Sequence, residues 1–247
     1  MRMRPLIAVS VLTLLPLTSC SSDDDEKQLT VLAAASLTGT FETLASTFED
    51  EHDGVDVKFN FGSSTTLAEQ GVDGAPGDVL ATADEKSMTI AEDGDALAAD
   101  RMQFATNELV LVVPADNPAK ITGFDDLADT DWVRCADDVP CGRLALSLLE
   151  ENKVTAEPRS LEVDVKSVLA KITSGEADAG FVYASDAVAA GDDVLVFDVP
   201  GAAEQLNPYF IAPLDQNDSG DLAQEWVDFV SSDEGRKILD DAGFGKP

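Results

Sequence analysis

The chain has 247 residues, 44% of them hydrophobic, with 16 Lys and Arg against 48 Asp and Glu and a formal net charge of −32. Such a composition supports a folded core, while the charge excludes nucleic acids and anionic lipid surfaces as partners, because both repel so acidic a protein. Three cysteines without a Cys-x-x-Cys pair and a single histidine argue against a histidine-cluster or four-cysteine metal site. A Ser-His-Asp hydrolase would have to be built around His52 alone.

The N-terminus predicts export. Arg2 and Arg4 precede an apolar run that is too short to span a bilayer and is typical of a signal peptide. The run ends in Leu-Thr-Ser-Cys20, which resembles the bacterial lipobox. We expect residues 1–19 to be a lipoprotein signal peptide and 20–27 a polar tether, with an ordinary secretory signal as the alternative. We expect an extracytoplasmic protein, which lipidation of Cys20 would anchor to the outer face of the cell membrane.

From residue 28 onward, short apolar runs alternate with helical patterns, which is typical of an α/β protein with largely parallel sheets. Strands are predicted at 28–34, 55–61, 78–81, 108–113, 132–135, 179–183 and 194–199. Helices are predicted at about 37–48, from 67 onward, and at 85–92, 141–151, 165–174, 222–230 and 233–242.

Two consecutive strand-to-helix turns are rich in hydroxyl groups, with Ser36 in the first turn and Ser63 and Ser64 in the second. A helix start presents unpaired backbone N–H groups and about half a positive charge. Two facing starts can therefore bind an anion without Lys or Arg. The alternative is that each serine is simply an N-cap, which stabilises its helix by about 1 kcal/mol.

Six segments together resemble the periplasmic molybdate-binding proteins of ABC transporters, a family of bacterial extracellular solute-binding proteins. They occur in the order of that family and cover nearly the whole exported chain. The segments are VLAAASL (31–37), FGSSTTLA (61–68), GAPGDVLATAD (74–84), NELVLVVP (107–114), VPCG (139–142) and GEADAGFVYASDA (175–187).

The resemblance implies a two-lobed periplasmic-binding-protein fold of type II, in which each lobe is a mostly parallel sheet flanked by helices. We expect residues 28–110 and 208–247 to form lobe I and residues 111–207 to form lobe II. The family's ligand contacts fall on Ser36 and Ser64, through hydroxyl and backbone N–H, on the backbone of Cys141 and Val165, and on the Tyr183 phenol. Cys141 departs from the family, which usually has alanine there.

The function that the resemblance implies is capture of molybdate, together with tungstate, for the membrane permease of an ABC importer. We expect a monomeric receptor that is not an enzyme and has no cofactor besides its ligand. The alternative is a receptor for sulfate, phosphate or an organic acid. Protonated phosphate would need an acceptor such as Asp138 or Asp164, and a carboxylate would need a clamp such as Arg143.

Cys135 and Cys141 bracket a short turn that contains proline. In an exported protein this pattern favours a disulfide, which would hold the turn rigid beside the anion. The alternative is that Cys141 is a small side chain packed in the turn.

Overall fold

The computed structural model describes residues 27–247, which form ten strands and eight α-helices. The predicted signal peptide, Cys20 and the first residues of the tether lie outside the described residues. The strands are β1 (Lys27–Ala34), β2 (Val55–Gly62), β3 (Val79–Thr82), β4 (Met102–Asn107), β5 (Leu109–Pro114), β6 (Trp132–Cys135), β7 (Ser160–Glu162), β8 (Ala179–Tyr183), β9 (Val194–Asp198) and β10 (Asn207–Pro213). The helices are α1 (Thr38–Glu51), α2 (Ser64–Val72), α3 (Glu85–Asp93), α4 (Pro140–Glu151), α5 (Val165–Thr173), α6 (Ala184–Ala190), α7 (Leu222–Val230) and α8 (Asp233–Asp241).

The strands form two five-stranded sheets of the same design. The first has the order β2-β1-β3-β10-β4 and the second the order β7-β6-β8-β5-β9. In each sheet a single strand, β10 in the first and β5 in the second, runs antiparallel to both of its neighbours. The other pairings are parallel, as the alternation of strands and helices predicts.

Each sheet has its own hydrophobic core. One cluster of buried residues draws only on positions 109–202 and covers the second sheet. The clusters around the first sheet draw on positions 29–105 and 209–244. We therefore call the first sheet with α1, α2, α3, α7 and α8 the first lobe, and the second sheet with α4, α5 and α6 the second lobe. The chain passes between the lobes at Glu108, between β4 and β5, and returns between β9 and β10.

Some elements were not predicted from the sequence, for identifiable reasons. β4 and β5 are separated only by Glu108, so they are hard to tell apart in the sequence. The strand predicted at 108–113 covers β5 and leaves out β4. β7 has three residues and α6 has seven, which is too short for a clear apolar period. β1 already begins at Lys27, the last residue assigned to the tether. Within residues 27–247, no helix has both the length and the apolar character needed to cross a bilayer.

Candidate anion-binding site

A small cavity between the two lobes is lined by all five residues predicted to contact an anion: Ser36, Ser64, Cys141, Val165 and Tyr183. The cavity has a volume of about 20 Å³. Drug-sized ligands occupy pockets of about 300–1,000 Å³, so this cavity is far too small for them and is on the scale of a small inorganic ion. The first four residues stand where a helix begins, and the positive ends of these helices meet at the cavity.

Ser36 lies in a single 3-10 turn, Ala35–Leu37, between β1 and α1. Its side chain is buried and does not cap the helix. The Ser36 hydroxyl instead forms a 2.8 Å hydrogen bond with the hydroxyl of Tyr209 on β10. The N-cap interpretation is therefore wrong for this serine, and its hydroxyl belongs to a buried polar pair beside the cavity.

Ser64 is the first residue of α2, and Ser63 is the N-cap by backbone conformation. The side chain of Ser63 makes no capping hydrogen bond, so the first-turn amides of α2 keep no side-chain partner at this end. The Ser64 hydroxyl accepts a hydrogen bond of 2.9 Å from the Ala83 amide. Because a hydroxyl carries one proton and also accepts, this arrangement leaves the Ser64 proton for a ligand.

The start of α4 brings the Cys141 amide to the cavity. Pro140 occupies the first helical position, where its missing N–H costs nothing. The Arg143 amide donates to the Val139 carbonyl at 3.0 Å. The Cys141 amide lies before this bond in the first turn, where amides have no partner within the helix. Cys141 is joined to Cys135 by a disulfide with an S–S distance of 2.05 Å and a Cα–Cα distance of 5.7 Å. The disulfide holds the turn before α4 together, with the Cys141 residue at the cavity wall.

The start of α5 brings the Val165 amide to the same cavity. The Asp164 carboxylate caps this helix by accepting a hydrogen bond of 2.8 Å from the Ser167 amide. Val165 is the first helical residue, and its N–H is not used by the cap. One oxygen of the Asp164 carboxylate is thus committed to the helix, as the N-cap interpretation of this residue predicts.

Tyr183 ends β8, and its phenol is buried in the cavity wall. The Asn207 side-chain amide donates a hydrogen bond to the phenol oxygen. Burial, with smaller contributions from Tyr209, Asp84 and Asp186, raises the pKa of the Tyr183 phenol well above its ordinary value. The phenol therefore keeps its proton at neutral pH and can donate it.

The cavity wall is uncharged apart from Asp164: within the described part of the chain, no Lys, Arg or His lines it. Arg143 is engaged beside the cavity, where its Nε donates to Asp84 at 2.9 Å and its Nη2 donates to Ser87 at 3.1 Å. Asp138 does not line the cavity, and its backbone carbonyl accepts from the Thr65 hydroxyl at 2.8 Å. Arg143 and Asp138 are thus used in contacts between the lobes, whereas Asp164, considered as an acceptor for protonated phosphate, lines the cavity.

Two of these contacts join the lobes next to the cavity. Asp84 is the N-cap of α3 in the first lobe, whereas Arg143 lies in α4 of the second lobe. Their ion pair is largely buried, with side-chain exposures of 20% for Arg143 and 11% for Asp84. The hydrogen bond from Thr65 to Asp138 crosses the same boundary. The described structure is therefore held closed by polar contacts on the α4 side of the cavity.

Tyr209, Asn207 and Ala83, the partners of the ligand hydroxyls, were not predicted from the sequence. The contacts of Tyr209 and Asn207 depend on the register of β10 with its neighbours, which no local pattern encodes. One signal was available, because the chain contains only two tyrosines. The two tyrosine rings, of Tyr183 and Tyr209, pack edge to face with 5.9 Å between their centroids.

The family of this chain follows from comparison with known proteins. The model of the bacterial extracellular solute-binding proteins matches residues 29–245. The chain belongs to this family. The expectation that the protein binds a solute and is not an enzyme is thereby confirmed. Among residues 27–247, no group of three or more His, Cys, Asp or Glu side chains is placed to hold a metal ion.

Individual relatives and solved structures that are similar to this chain are named by the ligand that they bind. The molybdate-binding protein ModA of Mycobacterium tuberculosis is 39% identical over 223 residues, which cover 90% of this chain and 85% of the relative. ModA of Escherichia coli is 32% identical over 234 residues, 89% of this chain and 90% of the relative.

The solved structure of the periplasmic molybdate-binding protein of Azotobacter vinelandii is 26% identical, has a TM-score of 0.76, and covers 89% of this chain and 99% of that one. The sulfate-binding protein SubI of Mycobacterium tuberculosis has a TM-score of 0.75 at 16% identity, with 88% of this chain and 86% of that chain covered. The second likeness shows the two-lobed fold alone. The predicted fold class is confirmed.

Proposed function

We propose that this protein captures molybdate, and tungstate with it, outside the cytoplasm and delivers the ion to the membrane permease of an ABC importer. The observation that carries the proposal is the cavity between the lobes lined by Ser36, Ser64, Cys141, Val165 and Tyr183. The curated relatives named as molybdate-binding proteins favour molybdate over sulfate or phosphate.

The physical basis is replacement of water by neutral donors. A tetrahedral dianion that enters a closed cavity loses its hydration, so several donors have to be in place before it arrives. Three hydroxyl groups and the amides at four helix starts provide such a set without a countercharge. The net charge of the protein does not prevent this, because salt screens surface charges over about 8–10 Å whereas the donors contact the ion.

The ligand is expected to close the two lobes upon one another. The first lobe contributes Ser36 and Ser64, and the second contributes Cys141, Val165 and Tyr183. Because an ion bound to both sets joins the lobes, it stabilises the closed form in which Arg143 reaches Asp84. We expect residues 28–107 and 207–247 to move as one body and residues 109–206 as the other, which shifts the boundaries predicted from the sequence by one to three residues.

The N-terminal segment supports the placement of the receptor. Lipidation of Cys20 would hold a monomeric receptor at the outer face of the membrane, next to its permease. Mass spectrometry of the membrane-extracted protein tests this part: a diacylglyceryl group on Cys20 is expected, and a free N-terminus elsewhere would remove the anchor from the proposal.

Isothermal titration calorimetry with molybdate, tungstate, sulfate and phosphate tests the ligand. We expect heat from molybdate and tungstate at one ion per protein, and tighter binding of both than of sulfate. Heat from phosphate alone would overturn the proposal.

A further inference from the structure

Two asparagines stand where the chain passes between the lobes. Asn107 is the last residue of β4, and Asn207 is the first residue of β10. They are register partners in the β4–β10 ladder, and both are buried. Directly opposite residues of an antiparallel pair project from the same face of the sheet. Both asparagine side chains accordingly reach residues of the second lobe at the back of the anion cavity.

Asn207 contacts the Tyr183 phenol through its side-chain nitrogen. An amide nitrogen can only donate, so this contact occupies an acceptor position of the phenol oxygen. The phenol has one proton, which then has to point elsewhere, and the cavity lies on its other side.

Asn107 has a side-chain orientation fixed by the backbone. Its carbonyl oxygen accepts from the Glu108 amide at 3.1 Å, so its nitrogen is the atom that faces the second lobe. That nitrogen donates to the Ser185 hydroxyl at 2.8 Å. Burial raises the pKa of the Tyr209 phenol, so this group keeps its proton, and either hydroxyl can donate in the 2.8 Å hydrogen bond between Tyr209 and Ser36.

We propose that Asn207 is a specificity-determining residue of the anion site, because it directs the Tyr183 proton into the cavity. The Ala83 amide does the same for Ser64. Two of the three ligand hydroxyls, those of Tyr183 and Ser64, thus each accept from a fixed protein donor and present a proton to the ligand. This inference rests on the proposed function, since it concerns the same cavity.

The chemical consequence concerns the protonation state of the ligand. Hydroxyls that offer only protons suit a tetrahedral oxyanion that carries none, such as molybdate. Hydrogen phosphate brings a proton that finds no acceptor at the Tyr183 and Ser64 hydroxyls, and a buried unpaired donor is costly. Among the residues that line the cavity, the Asp164 carboxylate could accept that proton, but one of its oxygens already caps α5. Asn207 therefore helps the cavity to select fully deprotonated dianions. This selection does not depend on the size of the cavity.

The decisive variant is Asn207→Asp, which keeps the shape but places an acceptor against the phenol. The carboxylate accepts a hydrogen bond from the Tyr183 hydroxyl, so the phenol presents an oxygen lone pair, and no proton, to the ion. At pH 8 we expect molybdate affinity, measured by calorimetry, to fall at least about tenfold, the effect of losing one hydrogen bond to a charged group. Thermal unfolding of the wild type and the variant is measured first, and both are titrated at a temperature at which both are folded.

The same substitution in a Tyr183→Phe background separates the proton from the added charge. Without the phenol oxygen, Asn207→Asp can act only through its charge, and we expect a much smaller further loss of affinity. An equal loss in both backgrounds would overturn the inference. Where Asn207→Asp does not fold, Asn207→Ala in the two backgrounds gives the same test without a new charge. Unchanged molybdate affinity in Asn207→Ala would also overturn it.

A pH series provides a readout that a purely structural role would not change. Protonation turns the introduced carboxylate back into a donor, so the affinity of the Asn207→Asp variant is expected to recover between pH 8 and pH 5.5, while that of the wild type stays constant. The other titratable or charged groups near the Tyr183 phenol are present in both proteins: Asp84, Asp164, Lys166, Asp186 and Tyr209. A variant without recovery would contradict the inference. A wild type that binds none of molybdate, tungstate and sulfate would instead refute the proposed function together with it.

Discussion

Replacing Gly142 with alanine is expected to impair anion binding through the backbone alone. A Cβ atom at this position would lie 1.7 Å from the carbonyl oxygen of Ala136 and 2.9 Å from that of Cys135. Because the contacted atoms belong to the backbone, no side chain can move aside. The start of α4 would have to shift by more than about 1 Å, since close-packed interiors have no room to absorb such an overlap.

The shift acts directly on the site because the Cys141 amide immediately precedes Gly142. The disulfide ties Cys141 to Cys135 and prevents the turn from opening. Loss of one hydrogen bond to a charged ligand costs about 1.5–3 kcal/mol. This free energy corresponds to a molybdate Kd that rises about 10- to 150-fold. Overpacking should also lower the free energy of unfolding by about 1–3 kcal/mol.

Calorimetry with molybdate and thermal unfolding measure the two effects, and Gly39→Ala is the matched control. Gly39 lies in the first turn of α1, the helix that follows Ser36, and a Cβ there meets no atom within 4 Å. Alanine at that helical position should stabilise the fold by about 0.5–1 kcal/mol and leave the Kd unchanged. Wild-type molybdate affinity in Gly142→Ala would refute the assignment of the Cys141 amide to the ligand.

The other predictions use the same binding assay. Ser36→Ala with Ser64→Ala removes two donors at about 1.5–3 kcal/mol each, and an unchanged Kd would exclude both hydroxyls as ligands. Arg143→Met should weaken molybdate binding at least about tenfold by favouring the open form, with a larger radius of gyration by X-ray scattering. Arg159→Met, whose pair with Asp131 is mostly exposed at 57% and 65%, should change neither quantity. Reduction of the Cys135–Cys141 disulfide should lower the free energy of unfolding by about 2–3 kcal/mol, and two free thiols in the unreduced protein would contradict the bond. Because the pKa of Tyr183 is raised, the phenol stays protonated and molybdate affinity should be constant from pH 7 to about 9.5; a fall centred near pH 8 would show that another group titrates.

Much of the site could be predicted because it lies at element boundaries. Strand-to-helix turns are local in sequence, and the resemblance to a known family assigned their ligands. The N-cap alternative failed for Ser36, Ser63 and Ser64 because their hydroxyls face other elements or no partner, whereas it held for Asp164, whose longer side chain reaches the Ser167 amide.

The partners of the ligand hydroxyls could not be predicted in the same way. Tyr209 reaches Ser36 across 173 positions of sequence, and Asn207 reaches Tyr183 only because β10 returns beside β4. The predicted lobe boundary between residues 207 and 208 falls at this strand, but the register of β10 is set by the packed sheet. The Arg143–Asp84 pair was also missed, since it joins residues of different lobes that lie 59 positions apart in the sequence.

A crystal structure of the protein grown with molybdate tests the central claim most directly. The account predicts one ion between the lobes, with oxygen atoms within hydrogen-bond distance of the Ser36, Ser64 and Tyr183 hydroxyls and of the Cys141 and Val165 amides. An ion held by the Arg143 guanidinium or by a lysine, or one bound outside the cavity, would contradict it.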